Sequence, residues 1–199
     1  SCYALTYEPN TPMTARLGRG EFAAADDDLE VAMAERTVSV LRGAGFERYE
    51  VSNYARGAAA RCAHNMAYWR SAPWVAAGPS ASAHMAGHRW KNVPRLGDWM
   101  AGIAESGGPS PIVDHEPPDA RRALAERIMM GIRVSDGLAW DEIGASAQAL
   151  GAHERLARAL DLTIERGWTV RAEKQVRLTD LGFHFADGVA SNLIAALRP

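Results

Sequence analysis

The sequence predicts a mixed α/β chain in two parts, a βα segment followed by a small winged-helix-like α+β module. Three observations predict it. First, Cys2 to Tyr7 is rich in aromatic and small apolar residues, as buried strands are, and Tyr49 to Tyr54 is a second strand candidate, with a helical repeat between them. Strand, long connection with a helix, then strand is the order of a parallel crossover, although one such repeat does not separate a barrel from an open sheet. Second, Gly107-Gly108-Pro109-Ser110-Pro111 is punctuated like a linker, which sets domains at 1–108 and 109–199. Third, the order from Pro117 onward is helix, helix, hairpin, helix.

Each element has its own signal. Glu8-Pro9-Asn10-Thr11-Pro12 ends the first strand, because its prolines remove ladder donors. Asp26-Asp27-Asp28 supplies an N-cap and first-turn carboxylates. Leu29, Met33, Thr37, Val40 and Leu41 then recur at helical spacing over Asp27 to Arg42, and Gly43 and Gly45 stop the helix. His84 to Val93 reads as a hairpin around Gly87, and Leu96 to Glu105 as a helix. Beyond the linker, Leu124, Ile128 and Met129 mark a helix over Asp119 to Ile132, and Trp140 to Ile143 a short one. Leu156, Leu160 and Ile164 mark another from His153 to Arg166. Trp168 to Arg171 and Gln175 to Leu178 are short strands about a polar turn. Thr179-Asp180 caps a last helix with Leu181, Phe185, Val189, Leu193 and Leu197 on its apolar face.

Composition narrows the function. The 199 residues are 47% hydrophobic, enough for a real core. With 22 basic and 24 acidic residues the net charge is −2, which gives no electrostatic case for nucleic acid or an anionic membrane surface. The winged-helix-like module raises DNA binding as a rival, but no basic stripe marks a recognition helix. The two cysteines, Cys2 and Cys62, form no cluster, so a reducing cytoplasmic setting is expected, with any membrane association running through partners. No run of about 18 apolar residues indicates a transmembrane helix. The chain opens with Ser1 inside an apolar segment, which reads as a truncation.

Three constellations could carry chemistry. In His64-Asn65-Met66-Ala67-Tyr68-Trp69, His64 and Tyr68 would share a helix face; imidazole is a common axial ligand of heme iron, and aromatic rings can stack on a porphyrin. Spacing alone favours a capped helix start with Tyr68 and Trp69 as core anchors. Gly78-Pro79-Ser80-Ala81-Ser82-Ala83, after an apolar run, would let a ligand approach closely or simply form a tight turn. Glu8 and Glu50, at expected strand ends, are acid–base candidates for which a helix-dipole or loop hydrogen bond is the structural alternative. His84, His88, His115, His153 and His184 show no metal spacing, and Gly87 argues against a helix through His84 and His88.

Taken in order, Tyr3-Ala4-Leu5-Thr6-Tyr7-Glu8-Pro9-Asn10-Thr11-Pro12, Gly45 to Ala55 and Cys62-Ala63-His64-Asn65-Met66-Ala67-Tyr68-Trp69 resemble the HemW type of radical-SAM protein, relatives of the oxygen-independent coproporphyrinogen III oxidases. The small-residue loop Gly78 to Ala83 follows where that family has one, and the tail through Val176 to Gly182 looks like its C-terminal module. The HNxxYW element is the most specific part, since it separates HemW-like proteins from true oxidases.

The resemblance implies the C-terminal strands and helices of a partial (βα) radical-SAM barrel followed by the module. It implies heme, S-adenosylmethionine and a 4Fe–4S cluster as ligands, and heme-accepting proteins such as respiratory cytochromes as partners. It implies heme binding through His64, Asn65, Tyr68 and Trp69, and S-adenosylmethionine contacts at Thr6 and Ser82. The family's CxxxCxxC motif lies upstream of everything in this sequence, and neither Cys2 nor Cys62 replaces it. The chain alone would therefore be inactive in radical chemistry. Heme delivery is the first reading and porphyrinogen oxidation the alternative.

Overall fold

The computed structural model describes residues 1–108 and 110–198. Pro109, where the second domain was expected to begin, lies outside the described residues. The chain forms two compact units, Ser1–Arg61 and Cys62–Pro199.

In the first unit, helix α1 (Pro12–Gly18) is capped by Thr11, whose hydroxyl accepts from the Thr14 N–H. Helix α2 (Asp27–Gly43) begins as expected, with the Asp26 carboxylate accepting from the Leu29 N–H at 2.8 Å. Its expected stripe exists but is not covered: Leu29, Met33 and Val40 are all about half exposed or more. The crossover expected here does not form a parallel ladder. Residues 2–7 have no regular secondary structure and no strand pairing, and are joined to the second segment through the Cys2 N–H to Ser52 carbonyl bond. That segment is not one strand either. It is a tight turn between β1 (Glu47–Arg48) and β2 (Tyr54–Ala55), which pair antiparallel. The cause is local. The Glu50 carboxylate accepts from the Ser52 N–H and the Asn53 side-chain amide, and the Tyr49 N–H donates to the Asn53 carbonyl. Side-chain bonds to nearby backbone offer the chain an alternative to a ladder.

The second unit opens with α3 (Ala63–Trp69), followed by a three-stranded antiparallel sheet, order β3-β4-β5. The hairpin is as expected: β3 (Ser82–Met85) and β4 (His88–Asn92) turn at Ala86-Gly87, both with positive φ. Helix α4 (Leu96–Ser106) follows, and β5 (Ile112–Glu116), which the pattern did not announce, completes the sheet.

The rest is the winged-helix-like module. Helices α5 (Ala120–Gly131), α6 (Trp140–Ala149) and α7 (His153–Glu165) precede the hairpin β7 (Thr169–Ala172) and β8 (Gln175–Leu178). Short strand β6 (Leu138–Ala139) pairs with β8, and α8 (Ala186–Ala195) closes the chain. Ile128, Ile132, Ile143, Leu156, Leu160, Val176, Val189, Leu193 and Leu197 form one fully buried cluster.

Three details differ from the apolar repeat. On α5 the inner stripe is Leu124 and Ile128, continued by Ile132 at the C-cap, with Met129 facing out. On α7 it is Leu156, Leu160 and Thr163, with Ile164 partly exposed, because i+7 returns to within about 20° of i and i+8 does not. Leu181 and Phe185 lie outside the core. The Thr179 hydroxyl caps the Gly182 N–H into a 3-10 turn over Gly182–Phe185, and the regular helix starts only at Ala186.

The unequal burial sets two expectations. Leu156→Ala should lower unfolding free energy by about 2–5 kcal/mol, as large-to-small core changes do, whereas Leu29→Ala should change it by less than about 0.5 kcal/mol; urea unfolding checks both. A Cβ on Gly182 would overlap the Trp168 carbonyl oxygen. Gly182→Ala should therefore open the 3-10 turn and lower the thermal midpoint, and an unchanged midpoint would show that Trp168 can move away.

Candidate functional site

The residues of the HNxxYW element lie within helix α3. The helix is only seven residues long and has no side-chain cap: Cys62 is the N-cap position and its side chain makes no capping bond. His64 therefore does not cap the helix. What holds α3 is Met66, buried at 5% exposure beneath it, together with its packing on α5. His64 and Tyr68, at i and i+4, come together as expected. Their ring centroids are 4.9 Å apart, nearly perpendicular. Asn65 and Trp69, also i and i+4, lie on the adjacent face, half-buried. The buried Trp69 Nε1 has no hydrogen-bond partner.

The pair continues into a row. The Tyr68 ring lies 5.0 Å from that of Trp74, and Trp74 lies 5.0 Å from His84. Trp74 is fixed twice more. Its backbone bridges to His84 in both directions, at 2.8 and 3.0 Å, and its Nε1–H donates to the Ser82 carbonyl at 2.8 Å. The row His64–Tyr68–Trp74–His84 thus runs from the solvent-exposed end of α3 to strand β3. Neither Trp74 nor His84 was singled out with the motif. The signal was present only as an apolar run before the small-residue loop.

That loop is held by Asn92. The Asn92 side-chain amide donates to the Gly78 carbonyl at 2.8 Å, its backbone N–H donates to Ala81, and the Ser80 N–H donates to Val93. Gly78 and Ser80 both have positive φ, so a turn accounts for the small residues here. Ser82, at the loop's end, is exposed.

The alternation of a strand places neighbouring residues on opposite faces of the sheet. Met85 pairs with His88 and Ala83 with Trp90 on one face, while His84 pairs with Arg89 on the other. The aromatic row meets the sheet on the His84 face. The opposite face carries an open pocket of about 580 Å³ lined by Val75, Ala76, Met85, His88, Trp90, Asn92, Ser110, Ile112 and His115. A register shift in the β4–β5 pairing, with Asp114 at φ 54°, brings His115 to this face beside His88. Their nitrogens, His88 Nδ1 and His115 Nε2, are 3.0 Å apart. Sequence spacing could not find this pair, since 27 residues and an unannounced strand separate the two.

The first unit carries the remaining candidates. Thr6 is exposed. Glu8 is exposed, and its carbonyl accepts from the Thr11 and Thr14 hydroxyls. Glu50 is 2% exposed and engaged in its own turn, so it serves the fold. Cys2 and Cys62 are free, exposed and in different units. Two cysteines cannot furnish three thiolates, and no group of three or more His, Cys, Asp or Glu side chains able to hold a metal ion occurs among the described residues. These residues do not fit an iron–sulfur cluster. Among the described residues no helix is long and apolar enough to cross a membrane.

No protein-family model matches the chain. Individual relatives do. The heme chaperone HemW of Mycobacterium tuberculosis is 35% identical over 146 residues, 73% of this chain and 37% of its own length. The heme chaperone HemW of a Synechocystis species is 31% identical over 147 residues, 72% of this chain and 34% of that one. The mitochondrial radical S-adenosyl methionine domain-containing protein 1 of Mus musculus is 32% identical over 193 residues, 84% of this chain and 41% of that one. The chain thus spans well under half the length of these relatives. Among solved structures, the coproporphyrinogen III oxidase HemN of Escherichia coli, a radical SAM enzyme, superposes with a TM-score of 0.61 over 85% of this chain and 42% of that one, at 12% identity. That likeness establishes a mixed α/β fold of the radical-SAM enzyme kind. The chain belongs to the HemW-like radical-SAM family and matches the C-terminal part of its relatives.

Proposed function

We propose that this chain is the heme-facing part of a heme chaperone, a protein that binds heme and delivers it to target proteins such as respiratory cytochromes. The observation that carries the reading is the exposed His64 ring, set edge-on against Tyr68 in a chain related to proteins named heme chaperones. An imidazole on the surface of a short helix can reach iron, and the edge contact with Tyr68 orients its ring. Asn65 and Trp69, on the next face of α3, would border the macrocycle rather than lie under it.

Domains at 1–108 and 109–199 belong to the same proposal: hairpin and α4 with the barrel part, α5 onward as a separate module. Heme would be the ligand of this chain. S-adenosylmethionine would be met by the Thr6 and Ser82 hydroxyls, both exposed, and the 4Fe–4S cluster would be held by residues other than these 199. When bound, S-adenosylmethionine and the cluster supply one-electron chemistry. The setting proposed is the cytoplasm. Porphyrinogen oxidation, the competing reading, has the fold likeness behind it and no residue of this chain.

Hemin titration followed at the Soret band, alongside a coproporphyrinogen conversion assay, tests the reading. His64→Ala should weaken hemin binding and shift the Soret band. Unfolding free energy should change by less than about 0.5 kcal/mol, since the side chain is exposed and caps nothing. An unchanged spectrum and affinity in the folded variant would remove His64 from the site.

A further inference from the structure

We infer that the pocket on the open face of the β3-β4-β5 sheet is a second iron-porphyrin site, with His88 as the axial ligand and His115 as its positioning residue. The inference rests on the heme reading above and adds a place that the HNxxYW element does not reach, since the aromatic row approaches the sheet from its other face.

The argument begins with the two imidazoles. His88 Nδ1 and His115 Nε2 are 3.0 Å apart, with ring planes 12° from parallel and centroids 5.2 Å apart. Two imidazoles at this separation share one proton in an N–H···N bond. Whichever nitrogen donates, the bond leaves one of the two outer nitrogens, His88 Nε2 or His115 Nδ1, with an unshared pair. When His88 Nδ1–H is the donor, His88 Nε2 is the free base. Metal-bound histidines ordinarily donate their other ring N–H to a fixed acceptor, which sets tautomer and ring orientation. His115 supplies that acceptor. His88 is the half-buried member, on a strand paired on both sides, and His115 is the exposed one.

The number of ligands selects the metal species. A bare zinc-type ion takes three or four protein ligands. No group of three or more His, Cys, Asp or Glu side chains able to hold a metal exists among the described residues. An iron porphyrin brings four equatorial nitrogens of its own and needs one axial imidazole. The walls agree. Val75, Met85, Trp90 and Ile112 present apolar surface to an open cavity of about 580 Å³, a mostly apolar lining such as small-molecule sites have.

Hemin titration of the 199-residue chain tests this by stoichiometry and spectrum. The wild type should take up two equivalents, and His88→Ala one, with the remaining Soret band that of the His64 site. His64→Ala should lose the other equivalent and keep the His88 band. His115→Ala should weaken the second site by about 10–100-fold, as loss of an orienting partner does. His115→Gln, which retains a hydrogen-bond acceptor, should recover part of that loss. Ile112→Glu, on a half-exposed wall, places a carboxylate in the apolar lining and should abolish the second equivalent without touching His88. A wild type that binds one equivalent, lost in His64→Ala and kept in both His88→Ala and Ile112→Glu, would overturn the inference and leave the heme reading standing. A wild type with no saturable hemin binding would overturn both.

Discussion

Helix α5 has to satisfy two neighbours at once, and the placement of everything between Cys62 and Glu116 depends on how it does so. Leu124, Ile128 and Ile132 form the stripe that goes into the module core, against α6 and α8. Arg122 and Glu126, one turn apart on another side, face the sheet. Glu126 accepts from Arg89 of β4 at 2.9 Å, and Arg122 reaches Glu116 of β5 at 3.6 Å as well as Glu126 itself. The Glu126 side chain is only 17% exposed, so this pair is less screened than a surface ion pair, and breaking it would leave a charge with little water. Asp119 starts the helix in register by accepting from the Arg122 N–H. A well-packed module thus anchors a small sheet that has almost no core of its own.

From that anchoring follows the two-sidedness of the sheet. The face carrying Arg89 is directed at α5 and receives the row of rings from α3 through His84. The other face bears the pocket, to which Val75, Ala76 and Ser110 contribute from outside the strands. Rigid support behind and open surface in front is the arrangement that ligand sites on sheets generally have, since positioning needs fixed side chains and access needs free space. The first unit stands apart in kind: its helices bury nothing fully, and its order rests on caps and on the Glu50 turn.

Much of this was legible in the sequence. The module's helices and hairpin follow from apolar periodicity, because its core is built from one face of each element. The hairpin at Gly87 and the cap at Asp26 follow from turn and cap chemistry, which acts within a few residues. The pairing of His64 with Tyr68 follows from helical spacing. What was not legible is non-local or competitive. Tyr49 to Tyr54 is bounded by tyrosines about Val51 and was expected as a strand, yet Glu50 and Asn53 close a turn within it. Ile112 to Glu116 lies between Pro111 and Pro117 and carries Asp, His and Glu, so it does not read as a strand, and it forms where β4 offers it a partner. With that strand hidden, His115 could not be placed beside His88. Phe185 carries the helical repeat but sits in a turn set by the approach of Gly182 to Trp168.

The central claim is that heme is held by the elements between Cys62 and Glu116 and not by the module core. The most direct test is the NMR spectrum of the isotope-labelled chain with hemin, compared with the same chain carrying the diamagnetic zinc porphyrin. The account predicts iron-dependent broadening centred on His64, Tyr68, His88 and His115, with the resonances of Leu156, Leu160 and Val189 unaffected. Broadening centred on the module core, or none anywhere in the chain at saturating hemin, would contradict it.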